Sequence, residues 1–184
     1  MSNKGRLIII SGPSGAGKGT VLQEVFSAHQ NMCYSISATT RGPRVGEQDG
    51  VHYFFITKAE FEEKLRRGEM LEHTVYCGNY YGTPADYVES RRKEGFDVIL
   101  EIEPNGAGQV KAKCSDAISI FILPPSIEEL EKRLINRGTE PPEVIAKRIQ
   151  RAKEEIVMAD QYDYQVVNDT VEHAAMEINK ILFD

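Results

Sequence analysis

Between Ser11 and Thr20 the chain reads SGPSGAGKGT, with Gly12, Gly17 and Lys18 at the spacing G-x-x-x-x-G-K. This pattern predicts a phosphate-binding loop over Gly12, Pro13, Ser14, Gly15, Ala16, Gly17, Lys18, Gly19 and Thr20. Glycines let consecutive backbone N–H groups converge on an anion, and the N-terminus of a following helix adds partial positive charge. Lys18 supplies a full charge for the outer phosphates. The flanks agree with this reading. Leu7-Ile8-Ile9-Ile10 before the loop reads as a strand, and Val21, Leu22, Val25 and Phe26 after it as one face of a helix.

Gly19 follows Lys18 where a Ser or Thr hydroxyl would ordinarily reach a magnesium ion, and Thr20 comes one place later. This Gly-Lys-Gly-Thr form resembles the loop of nucleoside monophosphate kinases. It leaves few protein ligands for a metal, so Mg²⁺ is expected to be carried by nucleotide phosphates and water near Thr20. A second anion site is suggested by Ser37-Ala38-Thr39-Thr40-Arg41-Gly42-Pro43-Arg44. Two arginines three apart, with hydroxyls beside them, suit a phosphate monoester held by fork-like N–H donors. Taken alone, a pair of solvated surface arginines is the simpler account.

Positioning these groups requires strands that alternate with helices. The pattern predicts a helix from Lys18 to about His29, short strands over 34–37 and 51–56, and a polar loop over 38–50. Thr57 and Glu60 form a capping box that opens a helix ending at Gly68. Residues 70–81 read as a hairpin around Gly78-Asn79, and Thr83-Pro84-Ala85-Asp86 as a helix start closed by Gly95. DVILEI at 97–102 and AISIFIL at 117–123 are apolar enough for buried parallel strands. Ser126 with Glu129 caps a further helix, and a charged one covers about 143–159. A strand over 164–167 and a helix over 170–182 complete the chain. The expectation is an α/β fold with a parallel sheet.

At 184 residues, 41% hydrophobic and 27% charged, the chain suits one globular domain. A net charge of −6 argues against broad binding to nucleic acid or anionic membranes. No apolar run approaches membrane-spanning length. Cys33, Cys77 and Cys114 form no C-x-x-C pair and read as reduced thiols. With no signal-peptide pattern before the first strand, a cytoplasmic location is expected. His29, His52, His73 and His173 read as structural or surface residues, without an obvious His–carboxylate arrangement.

Further motifs follow in order: TTRGPR at 39–44, Gly50 to Phe54, GNYYGT at 78–83, Glu101-Ile102-Glu103 and Arg137-Gly138-Thr139-Glu140. With them the sequence resembles the guanylate kinase family from Arg6 to its C-terminus. The resemblance implies a P-loop NTPase fold, with a helix-flanked parallel sheet, a mixed α/β GMP-binding lobe and a helical lid. Within one domain over 5–184, the core would take 1–34, 91–125 and 157–184, the lobe 35–90 and the lid 126–156. The implied reaction is phosphoryl transfer from ATP to GMP, with dGMP beside it, in purine nucleotide metabolism. Mg²⁺ would assist, and neither nucleic acid nor membrane would take part.

The resemblance also assigns roles. Arg41, Arg44, Tyr53 and Tyr81 would hold the GMP phosphate. Ser37, Glu72 and Thr83 would surround the guanine, with Glu103 nearby and Glu101 behind it. Arg133, Arg137 and Arg148 would reach the ATP phosphates, and Asn168 would approach the adenine. Lys18, Arg41, Arg133, Arg137 and Arg148 form the implied catalytic set, whereas Arg151 has no clear family role and keeps a solvated helix face as an alternative reading. Guanine's Watson–Crick edge offers two N–H donors and a carbonyl, so an acceptor-only carboxylate such as Glu72 fits it. Two departures stand out: Pro104-Asn105-Gly106, where a Gln often precedes the glycine, and the stiff pair Pro141-Pro142. The competing readings are a non-catalytic phosphopeptide-binding relative and a kinase acting on a sugar bisphosphate. The intact loop and the Ser37, Glu72, Thr83 set argue against them.

Overall fold

The structure, a computed structural model, describes residues 4–136 and 141–183. The chain begins with β1 (Leu7–Ser11), α1 (Lys18–Ala28), β2 (Met32–Tyr34), β3 (Ala38–Thr39) and β4 (Phe54–Phe55). It continues with α2 (Lys58–Arg66), β5 (Met70–Tyr76), β6 (Asn79–Pro84), α3 (Ala85–Lys93) and β7 (Asp97–Glu101). Then come α4 (Pro104–Lys113), β8 (Ile118–Leu123), α5 (Ile127–Asn136), α6 (Pro142–Ile156), β9 (Tyr164–Val167) and α7 (Val171–Phe183).

Five strands form a sheet in the order β2-β7-β1-β8-β9. Its end pairs are parallel, with Met32 opposite Asp97 and Ile120 opposite Tyr164. The apolar runs locate the middle of this sheet, as a parallel sheet covered on both faces requires. Leu7 to Ile10 have no exposed surface, nor do Ile120 to Ile122. The α/β expectation therefore holds. A second sheet, β4-β3-β6-β5, is mixed, with β3 parallel to β4 and β6 antiparallel to both β3 and β5. The described residues divide into two compact units. The first takes those of 1–8, 31–100 and 105–117, the second those of 9–30, 101–104 and 118–184. Ala38, Phe61 and Met70 form a buried cluster in the first, and Leu130, Leu134, Ile149 and Ala152 one in the second.

Several boundaries differ from the sequence reading. The strand expected over 51–56 shrinks to Phe54–Phe55, because Val51 and His52 lie in a turn whose N–H groups donate to the Gln48 carbonyl. The strand expected over 34–37 ends at Tyr34, and pairing resumes at Ala38 in the second sheet. The hairpin exists, but its turn centres on Cys77-Gly78, both at positive φ (49° and 77°), with Tyr76 opposite Asn79. Two positive φ values match the right-handed twist of the flanking strands. Helix α4 was not anticipated. Pro104, Asn105, Gly106 and Gly108 are weak helix formers, and tertiary contacts override that propensity. The charged helix expected over 143–159 is α6, which stops at Ile156, with a separate 3₁₀ turn over Ala159–Gln161. Among the described residues no helix is long and apolar enough to cross a membrane.

Candidate functional site

In the second unit, the strand-to-helix turn from β1 to α1 has the geometry its glycines predict. Gly12 has φ 153°, and a Cβ there would stand 2.3 Å from the Ile122 carbonyl oxygen. Gly17, the N-cap of α1, has φ 86°, and a Cβ there would stand 2.5 Å from Asn168 Nδ2. Larger residues would therefore meet both a strained backbone and an occupied space. Lys18 Nζ donates to the carbonyls of Gly12 (2.7 Å) and Pro13 (3.2 Å), so the ammonium lies across the loop. Burial pushes Lys18 below the usual lysine range, and the carboxylates of Glu101, Glu155 and Glu103 act against that shift.

Other elements brace this loop. Asn168, buried after β9, donates through Nδ2 to the Ala16 carbonyl at 2.7 Å, and Arg133 of α5 donates to the Asn168 carbonyl at 3.1 Å. Arg148 of α6 donates to Ser14 Oγ at 3.2 Å. A cavity of about 540 Å³ opens here, lined by Gly17, Thr20, Arg133, Asn168, Asp169 and Thr170 among others. Arg137 lies outside the described residues. Arg151, for which the sequence left a solvated helix face as an alternative, bridges Glu103 (2.6 Å) and Glu155 (2.9 Å). Glu101 and Glu103 thus belong to the unit that holds Lys18.

The expectation of no His–carboxylate arrangement needs correction. His173 Nδ1, in the first turn of α7, lies 2.8 Å from Asp169 Oδ1 just before that helix, and the carboxylate raises the imidazole above its ordinary range. The i,i+4 spacing was the signal for it.

In the first unit, Arg41 stands at the centre of a cluster of aromatic and polar side chains. Its Nε donates to Tyr81 Oη (3.2 Å), and its guanidinium lies 5.5 Å from the Tyr53 ring centroid. Tyr53 and Tyr81 meet edge to face. Glu47, which the sequence reading missed, accepts from Arg41 Nη1 (3.0 Å) and Nη2 (2.9 Å) and from the Arg44 backbone N–H (2.7 Å). A carboxylate held this way occupies the kind of fork-shaped donor set that a phosphate would use. Nothing in its type marks Glu47 out in the sequence, since only the folded loop brings it back onto Arg41.

On the same sheet Glu72 of β5 is buried, at 6% exposure, and accepts from Thr83 Oγ1 at 2.7 Å. Burying a carboxylate costs stability unless donors satisfy it, so this placement implies a dedicated role. Ser37 is half-buried just before β3, and its carbonyl accepts from the Phe54 N–H. The structure thus gathers Arg41, Tyr53 and Tyr81 in one cluster and joins Glu72 to Thr83. Arg44 is exposed and brings its backbone to Glu47.

Comparison with known proteins agrees over the whole length. The guanylate kinase family model matches residues 4–184. A guanylate kinase of Streptococcus agalactiae (serotype III, strain NEM316) is 56% identical over 183 residues, covering 99% of this chain and 88% of the relative. One of Streptococcus pyogenes (serotype M3, strain ATCC BAA-595 / MGAS315) is 55% identical over 183 residues, covering 99% and 87%. The crystal structure of guanylate kinase from Anaplasma phagocytophilum aligns with a TM-score of 0.72 at 32% identity, over 98% of this chain and 85% of that one.

Proposed function

We infer the function from a premise now in hand: the chain belongs to the guanylate kinase family, and its reaction is phosphoryl transfer from ATP to GMP, giving ADP and GDP. The observation that carries this is the intact phosphate loop, with Lys18 folded across it, in a chain similar to guanylate kinases from end to end. A phosphopeptide-binding relative would not need that loop.

The residue roles are our proposal. Lys18, the loop N–H groups of Gly12 to Thr20, Arg133, Arg137 and Arg148 take the ATP phosphates, and Asn168 borders the adenine. Arg41, Arg44, Tyr53 and Tyr81 take the GMP phosphate. Ser37, Glu72 and Thr83 read the guanine. Segment 35–90 serves as the acceptor lobe and 126–156 as the lid. The nucleophile is a phosphate oxygen whose second pKa lies near about 6, so it is largely ionised at neutral pH and needs no general base. The protein must align donor and acceptor in line and offset the charge of two crowded anions. Lysine and arginine in a water-poor site do that most strongly.

Among the described residues no three His, Cys, Asp or Glu side chains cluster as a metal cage. The exposed Thr20 hydroxyl on the loop is a hard oxygen ligand that fits a magnesium ion arriving with ATP and held otherwise by phosphates and water. Such an ion lowers the charge on the phosphates being crowded together. We place the reaction in the cytoplasm, which suits three cysteines that are all free thiols.

The test is ADP release with ATP and Mg²⁺, measured separately with GMP, AMP, UMP and no acceptor. Release with GMP alone is expected, and Lys18→Met should abolish it while far-ultraviolet circular dichroism stays unchanged. Near-normal turnover in Lys18→Met, or release with AMP equal to that with GMP, would overturn the assignment.

A further inference from the structure

Glu72 lies in an irregular part of its strand. Met70 pairs with Pro84 and His73 with Gly82, so β5 carries one more residue than β6 across this interval. Such a bulge re-aims side chains and interrupts the ladder that would otherwise fix them. Among the described residues, β5 is also the edge strand of its sheet, without a neighbouring strand on its outer side. Helix α4 supplies what is missing there. Gly106, Gln109 and Lys113 are three and four residues apart and share one helix face.

Gln109 acts as a one-residue strand. Its Oε1 accepts from the His73 N–H and its Nε2 donates to the His73 carbonyl, both at 3.1 Å. Lys113 Nζ donates to the Met70 carbonyl at 2.6 Å. The main chain is therefore held on both sides of Glu72. Gly106 faces the side chain itself: a Cβ there would stand 2.9 Å from Glu72 Oε2 and 3.4 Å from its Cδ. The other oxygen, Oε1, accepts from Thr83. The carboxylate thus fits between a hydroxyl and a residue with no side chain.

We propose that Gly106 and Gln109 are positioning residues for base recognition, acting through Glu72. Gln109 fixes the bulged main chain, and Gly106 leaves the space the carboxylate needs. The proposal rests on the reading of Glu72 as the acceptor for guanine's N–H edge. Of the segment Pro104-Asn105-Gly106 that departs from the family pattern, only the glycine is constrained by this geometry.

The test uses the full chain and measures KM and kcat for GMP and for IMP, which lacks guanine's 2-amino donor, together with KM for ATP and Tm. Gly106→Ala should raise KM for GMP by about tenfold, the effect of losing one well-placed charge-assisted hydrogen bond. KM for IMP should rise less, so the preference for GMP narrows, while kcat and KM for ATP stay unchanged. Its Tm should not fall, because alanine is the better helix former. Gln109→Met, similar in shape but unable to bond His73, should narrow the same preference, and Gln109→Glu, which still accepts from His73, should recover part of it.

Glu72→Gln separates this idea from the reading beneath it. If Glu72→Gln narrows the GMP preference while Gly106→Ala and Gln109→Met leave it unchanged, the positioning role is wrong and the role of Glu72 stands. If GMP and IMP weaken equally and Tm drops, the two residues only hold the fold and the proposal is also overturned. If Glu72→Gln itself leaves the preference unchanged, the reading of Glu72 fails and takes the proposal with it.

Discussion

Arg41 is the residue whose environment departs furthest from what its sequence neighbours suggest. A guanidinium has five N–H groups. Here four hydrogen bonds, to Tyr81, the Gly42 carbonyl and both oxygens of Glu47, leave one. The side chain is preorganised, which lowers the entropy lost when an anion binds. The same contacts act on Glu47: the Arg41 guanidinium first, then the Arg44 N–H, hold its carboxyl down at about 2, against an ordinary 4.5. A depressed carboxylate contributes to stability above its unfolded pKa, and the contribution is lost as pH falls through the folded value. The clasp should therefore persist through mild acid, its stabilising contribution declining below about pH 4.5 and lost as pH falls through about 2. Carbon-13 NMR titration of the Glu47 carboxyl checks this. A midpoint near 2 in the native protein, moving toward 4.5 in Arg41→Ala, is expected. An ordinary midpoint in the native protein would show that the clasp does not form in solution.

Among the elements, α2 is the one whose start the sequence specifies most completely. Thr57 Oγ1 accepts from the Glu60 N–H at 3.2 Å, and Glu60 Oε2 accepts from the Thr57 N–H at 2.7 Å. Both limbs of the capping box are present, and Phe61 one residue later is fully buried in the core of the first unit. Thr57→Ala leaves an orphan N–H at the helix start and should lower Tm by roughly 2–5 °C. Thr57→Ser should restore most of the loss, because the hydroxyl is what the helix uses. Thermal melts of the three proteins decide it, and an unchanged Tm in the alanine variant would mean that water caps this helix as well. Helix α4 is the opposite case. Its sequence argues against a helix, and its contacts to Met70 and His73 are what its face provides.

At the scale of the whole molecule, the proposed roles assign the phosphate loop and the arginine cluster to different units, and this makes a prediction for hydrogen exchange. A ligand protects the amides whose opening its binding opposes, and stabilises the folded state by mass action. GMP alone should slow exchange mainly over 37–55 and 70–84, where Arg41, Glu47, Glu72 and Thr83 lie. ATP with Mg²⁺ should slow it mainly over 12–20 and 166–171, around Lys18 and Asn168. Exchange read by mass spectrometry with each ligand in turn tests this. Protection of 12–20 by GMP alone would contradict the division of labour between the two residue sets.

The sequence by itself determined the parts built from contiguous residues. These are the loop Gly12 to Thr20, the apolar strands at 7–10, 97–102 and 117–123, the capping box at 57–60 and the arginine pair at 41 and 44. Their physics is local, residing in glycine torsions, hydrogen bonds three residues apart and runs of apolar side chains. The tertiary structure decided which distant groups meet. Glu47 returns onto Arg41, Asn168 comes 152 positions along the chain to brace Ala16, and α4 holds the bulge that carries Glu72. No local pattern encodes those pairings. Only the fold brings these partners within reach, and polar groups drawn out of water need them.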